Sequence, residues 1–531
     1  MRTTLGSHPA RRAAGPVRLA AALIATVLLA ACGDSPTAPV DPDPIPPPVP
    51  PADTVVPALP REFRGLWIAT VANIDWPSRS TLTREAQQAE FVAILDRART
   101  IGVNAIILQV RAAGDALYPS SLEPWSRSLT GTQGTDPGWD PVAYAVQQSH
   151  ARGLEFHAWF NPFRAGNLSD SLARSTEHLA RRRPDLVRPF CTQLWFDPAE
   201  RDVQDHALAV ISDVVRRYDV DAVHLDDYFY PYPDSRCLGL SFPDSAGYAR
   251  YVQGGGPLSR DNWRRDQVNR FVEALRPTVH AIAPHVRVGI SPFGIWRPGT
   301  PAGITGLDSY ASIFADSQLW LTRGWVDYFA PQLYWARSST GQPFNTLLDW
   351  WMSRNTMQRH LWPGLAAYRV GDGTSSAFAA SEIEGQIAST RARATSSGGP
   401  TGTILYNTTV VMQNRGGLST ALQSNVNLAP ALVPATPWLT AAAPLAPVAR
   451  SAPLGTSREL HIDAPSSGTP RWWVVRWRDG ATWRLRQLPA AQRTLAWPSL
   501  TSGGAVPELI VQALSATGVA GPFVRVSRDA P

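Results

Sequence analysis

Two adjacent aspartates, Asp226 and Asp227, end the apolar run of "AVHLDDYFYPYP" (222–233), and Tyr228, Phe229, Tyr230 and Tyr232 crowd in behind them. Like charges side by side are costly to bury. Two carboxyls held close also raise one another's proton affinity, which a general acid needs near neutral pH. Aromatic rings stack on the apolar faces of sugars, and glycoside hydrolysis normally uses two carboxyl groups at the scissile bond. The same mixture recurs at the ends of other apolar runs. Gln109 and Arg111 alternate in "NAIILQVR", and His157, Trp159 and Asn161 in "LEFHAWFNP". His224 and Asp226 alternate in the aspartate run, as do Gln332 and Tyr334 in "VDYFAPQLYW". Period-two spacing puts such residues on one face of a strand.

Asp226 is therefore the first catalytic candidate, expected to point into a shared pocket. Asp227 is expected to point away or to lie at the rim, and Asp115 of "RAAGDALYP" is the next carboxylate, with Asp75 and Glu123 also near run ends. A salt bridge from Asp226 to Arg111, or a helix cap, is the alternative use of that side chain. Arg111, Asn161, His224, Gln332 and Tyr334 are expected to position a sugar, and Trp76, Trp159, Tyr228, Tyr230 and Trp335 to stack on it. The His residues are dispersed without an HExxH pattern, and no GxSxG nucleophile elbow is present. No metal or other cofactor is expected.

Those residues need a scaffold that brings distant run ends together. Eight apolar runs, starting at residues 62, 104, 154, 222, 286, 326, 361 and 402, alternate with amphipathic segments such as "REAQQAEFVAILDRARTIG" and "AERDVQDHALAVISDVVRRYDV". Continuous apolar strands alternating with helices predict a parallel sheet covered on both faces. Eight such units predict an α/β fold, a (β/α)8 barrel of the TIM type over 61–425, whose active site lies at the C-terminal ends of the strands. A doubly wound open sheet is the alternative, but no Gly-rich phosphate loop follows the first strand.

Six stretches also resemble a known family: "REFRGLWIATVANIDWPS", "QVRAAGDALYPSSLEPWSRSLTG", "HAWFNPFR", "DAVHLDDYFYPYP", "GISPFGIWR" and "DYFAPQLYW". In order, over residues 61 to 420, they are similar to the glycosyl-hydrolase-like family ten, bacterial proteins long known as a domain of unknown function. The resemblance implies a (β/α)8 glycosidase fold and an exported protein. It also implies a polysaccharide substrate, since some members look like peptidoglycan glycosidases acting on glycan strands stripped of stem peptides. The aspartate motif is only loosely similar to that of chitinases, which ends in Glu. Here it carries "DD", so the chitinase acid does not transfer. A non-catalytic glycan-binding lipoprotein on a degenerate barrel is the rival reading; a pocket with only one carboxylate in reach would favour it.

The chain ends carry other information. Arg2, Arg11, Arg12 and Arg18 precede "LAAALIATVLLAAC" (19–32), too short to span a bilayer comfortably and ending in small residues like a secretory signal. "LAAC" looks like a lipobox, which makes residues 1–32 a lipoprotein signal and Cys32 the lipidation site; an ordinary signal peptide is the alternative. The Pro-rich stretch at 33–60 reads as an extended tether. The expected location is the cell envelope, anchored to a membrane through the N-terminal lipid alone; Gly33 after Cys32 favours the outer membrane, facing the periplasm, if the cell has one. Residues 426–457 read as a Pro- and Ala-rich linker. Residues 458–531, with short alternating runs between turn signals, read as a small β-sandwich resembling fibronectin type III. Its "RWWVVRW" is either sandwich core or an aromatic sugar platform. The net charge of +6 is carried by 49 Arg and no Lys. Those arginines form no stripe, which argues against a nucleic-acid partner. Export permits a disulfide between Cys191 and Cys237, in the loops after the third and fourth runs, with two free thiols as the alternative.

Overall fold

The computed structural model describes residues 55–529 apart from 238, 440–441 and 464–468; Cys32, the signal segment and most of the tether lie outside the described residues. The eight expected runs form eight parallel strands: β1 (Phe63–Ile68), β2 (Ala105–Arg111), β3 (Glu155–Phe160), β4 (Ala222–Leu225), β5 (Arg287–Ile290), β6 (Tyr328–Phe329), β7 (His360–Leu361 and Gly364–Leu365) and β8 (Gly402–Leu405). Each pairs with its neighbour in order, and β1 pairs with β8. The first segment of β7 pairs with β6 and its second with β8. Trp362 and Pro363 separate the two segments, but the Trp362 N–H still donates to the Phe329 carbonyl and the Ile404 N–H to that of Pro363. The sheet therefore closes on itself as a (β/α)8 barrel.

Alternation sorts the strand side chains. Phe63, Trp67, Ala105, Ile107, Trp159, Tyr328, Trp362 and Ile404 fill the barrel interior. Leu66, Ile68, Ile106, Leu108, Phe156 and Val223 face the surrounding helices. Local signals set those helices. Thr83 caps Arg84–Thr100 by accepting from the Ala86 N–H, and Phe91, Ile94, Leu95 and Ala98 form its buried stripe. Gly102, at φ +78°, then turns the chain into β2.

The C-terminal strands form two antiparallel sheets. One orders 448–454, 457–463 and 494–496; the other orders 482–489, 472–479, 508–514 and 520–527. Leu460, Ile462, Trp473, Val475, Leu509 and Val511 are buried between them. The first strand, Val448–Leu454, falls inside the stretch expected to be linker, which is a correction. It is an edge strand, where Pro453 is tolerated because one side of the ladder is open. Trp473 lies in the sandwich core, while Trp472 packs with Leu432, Val474 and Leu514. Arg471 pairs with Asp219 and, at 2.9 Å, with Asp221, just before β4. These contacts lie at the N-terminal end of the barrel strands, so the sandwich docks away from the strand tips.

Between β3 and β4 the chain forms a small antiparallel sheet, Arg164–Asn167, Gln193–Phe196 and Val187–Phe190. Cys191 in its turn is bonded to Cys237 in the loop after β4, with Cα atoms 5.7 Å apart. The bridge spans a separation of 46 residues, for which chain entropy suggests about 4 kcal/mol. Thiol labelling of the unreduced, denatured mature protein is expected to find neither cysteine reactive; two labelled sites would remove the bridge. No helix among the described residues is long and apolar enough to cross a membrane.

Candidate active site

Asp226 and Asp227 stand at the mouth of the barrel, one and two residues beyond the end of β4, and both are almost fully buried, at 4% exposure each. The Asp226 carboxylate accepts from Trp159 Nε1 at 3.1 Å and Asn161 Nδ2 at 3.2 Å, both groups on or just beyond the neighbouring β3. Burial, and then the charge of Asp227, push its pKa from an ordinary 3.8 up to about 7. Burial raises Asp227 as well, against hydrogen bonds from the Tyr232 hydroxyl and Gln332. The expected separation of the two aspartates does not occur: both line the same cavity. The strand ends at Leu225, so the two-residue alternation no longer governs which way each side chain points.

That cavity, of about 220 Å³, is walled also by Trp159, Tyr228, Gln332 and Tyr334. A second, more polar cavity of about 610 Å³ meets it at Trp159, Asp226, Tyr228 and Tyr406. Asp115 lies in the wall of the larger one, its carboxylate accepting from the Ala113 N–H. Asp226 thus borders both cavities.

Six expected contact residues are elsewhere. Arg111 is buried in a bidentate pair with Glu123, at 2.8 Å for one of its two bonds, and donates to the Asn161 carbonyl. Asn161 lies behind Asp226, holding it rather than facing the cleft. His224 is buried beneath the floor, its Nε2 accepting from Trp67 Nε1 at 3.1 Å. Trp76 is core, packed on Phe91 with its N–H on the Gln87 carbonyl. Tyr230 is buried against Phe242 and Phe314 in the wall of a different cavity. Trp335 stands edge-on behind Phe293. Asp75 ties the loop after β1 to the segment after β8, accepting from the Ala69 and Thr409 N–H groups.

Sequence reasoning missed Trp67, Tyr232, Ser291, Phe293, Tyr368 and Tyr406 in the smaller cavity and Arg164 in the larger. Trp67 was findable, since it falls in the inward phase of β1 with Phe63 and Ala69. Tyr232 comes from a loop and Tyr368 from the single 3-10 turn Ala367–Arg369, where periodicity gives no direction.

A buried hydrogen-bond chain supports the floor. Trp67 donates to His224 Nε2, which leaves the His224 Nδ1 proton for the Tyr328 hydroxyl at 2.9 Å. Tyr328 in turn donates to His157 Nδ1 at 3.2 Å, and His157 Nε2 donates to Glu155, the partner of Arg287. Burial drives the His224 pKa well down, which keeps it neutral. Tyr328 reaches both histidines because its ring occupies the space over Gly289, where a Cβ would come within 2.0 Å of it. Among the described residues no group of three or more His, Cys, Asp or Glu side chains is placed to hold a metal.

The sequence also resembles known proteins. Residues 62–379 match the model of a family described as glycosyl hydrolase-like 10. The chain is 40% identical over 397 residues to glycosyl hydrolase YngK of Bacillus subtilis (strain 168), covering 73% of this chain and 76% of that one. It is 34% identical over 349 residues to glycosyl hydrolase DigH of Escherichia coli (strain K12), covering 61% and 78%. A solved structure, the PgaB (BpsB) glycoside hydrolase domain from Bordetella bronchiseptica, overlaps 70% of this chain and 99% of its own, at 14% identity and a TM-score of 0.47.

Proposed function

Because the chain belongs to the glycosyl hydrolase-like 10 family, we propose that it is a glycoside hydrolase acting on a cell-envelope polysaccharide, the glycan strands of peptidoglycan, carried there as a lipid-anchored protein by residues 1–32. The observation that carries the reading is a protonatable Asp226, with a pKa of about 7, beside a second carboxyl in an aromatic-walled cleft. In the protonated form Asp226 donates to the glycosidic oxygen as the bond to the anomeric carbon breaks. Asp227, restrained by Tyr232 and Gln332, supplies negative charge to the cationic sugar ring that forms; a water then bonds to the anomeric carbon and gives up a proton, which restores the acid form of Asp226. Tyr228 and Trp159 border both cavities and offer faces to the rings on either side of the broken bond. The glycan-binding alternative needs a cleft with one carboxylate; two carboxyls in one cavity favour hydrolysis.

The anchoring and the envelope location rest on the N-terminal sequence, and the choice of peptidoglycan rests on the family resemblance. Incubating the purified protein with intact and with peptide-stripped peptidoglycan, followed by mass analysis, is expected to yield short glycan fragments from the stripped material. Unchanged strands in both incubations would sink the hydrolase reading.

A further inference from the structure

Two arginines line the larger cavity. Arg127 is neutralised by Asp170 at 2.8 Å. Arg164 is different. Among the described residues no carboxylate lies within ion-pair distance of it, although its charge acts on Asp226 and Asp227 and opposes the rise in their pKa values, and its buried Nε has no hydrogen-bond partner. Leaving a buried charged donor unmet is costly, so the group is waiting for an acceptor. Its guanidinium carbon lies 4.2 Å from the centre of the Tyr228 ring, a stack that restrains the guanidinium while its N–H groups remain directed along its own plane.

The backbone fixes Arg164 just as firmly. Its N–H donates to Asn161 Oδ1 at 2.9 Å, and the amide of the same Asn161 donates to Asp226 at 3.2 Å. One side chain thus sets the cation and the acid relative to each other. Arg164 also opens the strand Arg164–Asn167, paired antiparallel across from Trp195, so it rests on a sheet rather than on a loose loop.

A planar guanidinium held this way matches a carboxylate through two parallel N–H···O bonds. We propose that Arg164 is a specificity-determining residue that binds a carboxylate carried by a sugar of the glycan, in the larger cavity next to the ring at Asp226. The proposal rests on reading the cleft as a glycan site. On peptidoglycan the matching group is the lactyl carboxylate of muramic acid, ionised only where no stem peptide is attached.

Calorimetric binding to the full-length Asp226→Asn protein tests it, using a peptide-free peptidoglycan tetrasaccharide and the same tetrasaccharide with its lactyl carboxyls methyl-esterified. The acid is expected to bind at least about tenfold more tightly than the ester, the scale of a charged hydrogen bond. Arg164→Gln should bring the two affinities together, and Arg164→Lys should keep part of the difference. Equal binding of acid and ester with Arg164 in place overturns the assignment alone, as does Arg164→Gln weakening both equally. If neither compound binds, the glycan reading of the cleft falls with it.

Discussion

Asp226→Asn is expected to turn over peptide-stripped glycan at least about 100-fold more slowly than the wild-type protein, the scale of losing a positioned acid, with glycan affinity largely kept. The substitution preserves shape and leaves an amide where the Trp159 and Asn161 donors converge, while removing the proton that the leaving oxygen needs. The pH profile separates this role from a structural one. With its pKa raised to about 7, Asp226 is protonated below neutrality, so wild-type turnover should fall as the pH rises through that value. The residual activity of Asp226→Asn should lack this limb. Stability carries the same sign. A carboxyl raised in the folded state adds stability that is fully present below its unfolded pKa of 3.8 and is lost as pH rises through about 7. Asp227→Asn removes the second-largest cause of the shift, so the limb of its residual turnover should move to lower pH without reaching an ordinary carboxyl. Near-normal turnover by Asp226→Asn would transfer the acid role to Asp115 or Asp227.

The aspartate was legible because a charge at the end of an apolar strand has few inexpensive positions, and the barrel supplies one at its mouth. Trp159, Gln332 and Tyr334 followed from the same spacing and share that cavity. The rule failed where the strand stopped. Asp227 and Tyr230 lie past Leu225, in a stretch whose direction is set by tertiary packing: Asp227 turns into the cavity, and Tyr230 turns to Phe242 and Phe314. Trp76 failed for a different reason. An aromatic next to an aspartate at a run end looks the same in sequence whether it faces a sugar or a helix, and only the position of Phe91 decides it. Closure of the barrel was readable from eight repeats, but the split of β7 around Trp362 and Pro363 was not, since Pro363 removes a donor at a point no periodicity marks.

Arg111 shows what sequence spacing hides, and it leads to the largest stability effect we expect. The expected inward phase does not hold: the ladder shifts between Gln109 and Arg111, so Arg111 sits across from Phe160, which faces the helices, and its partner arrives from twelve residues on. Glu123 folds back from the loop after β2 to meet it, and His206 joins at 2.9 Å. Both members of the pair are nearly inaccessible, at 1% and 0% side-chain exposure. Glu123→Gln keeps the volume and strands the Arg111 guanidinium without its counter-charge, which should cost about 3–5 kcal/mol. The readout is the denaturant midpoint of the full-length protein at unchanged slope. Adding Arg111→Met to that variant should recover part of the loss, because the cost lies in the unpaired charge and the two changes are not additive. Acid provides a second check. Arg111 and His206 hold the Glu123 pKa far below the ordinary 4.5, so its contribution is present above that value and is lost as pH falls toward the depressed folded one. Glu123→Gln should therefore flatten the acid limb of stability. Because Arg111 also holds the Asn161 carbonyl, and the Asn161 amide holds Asp226, the variant should lose turnover as well. A Glu123→Gln protein as stable as the wild type would mean that water reaches the pair, and one with unchanged turnover would mean that Asn161 holds Asp226 without help from Arg111.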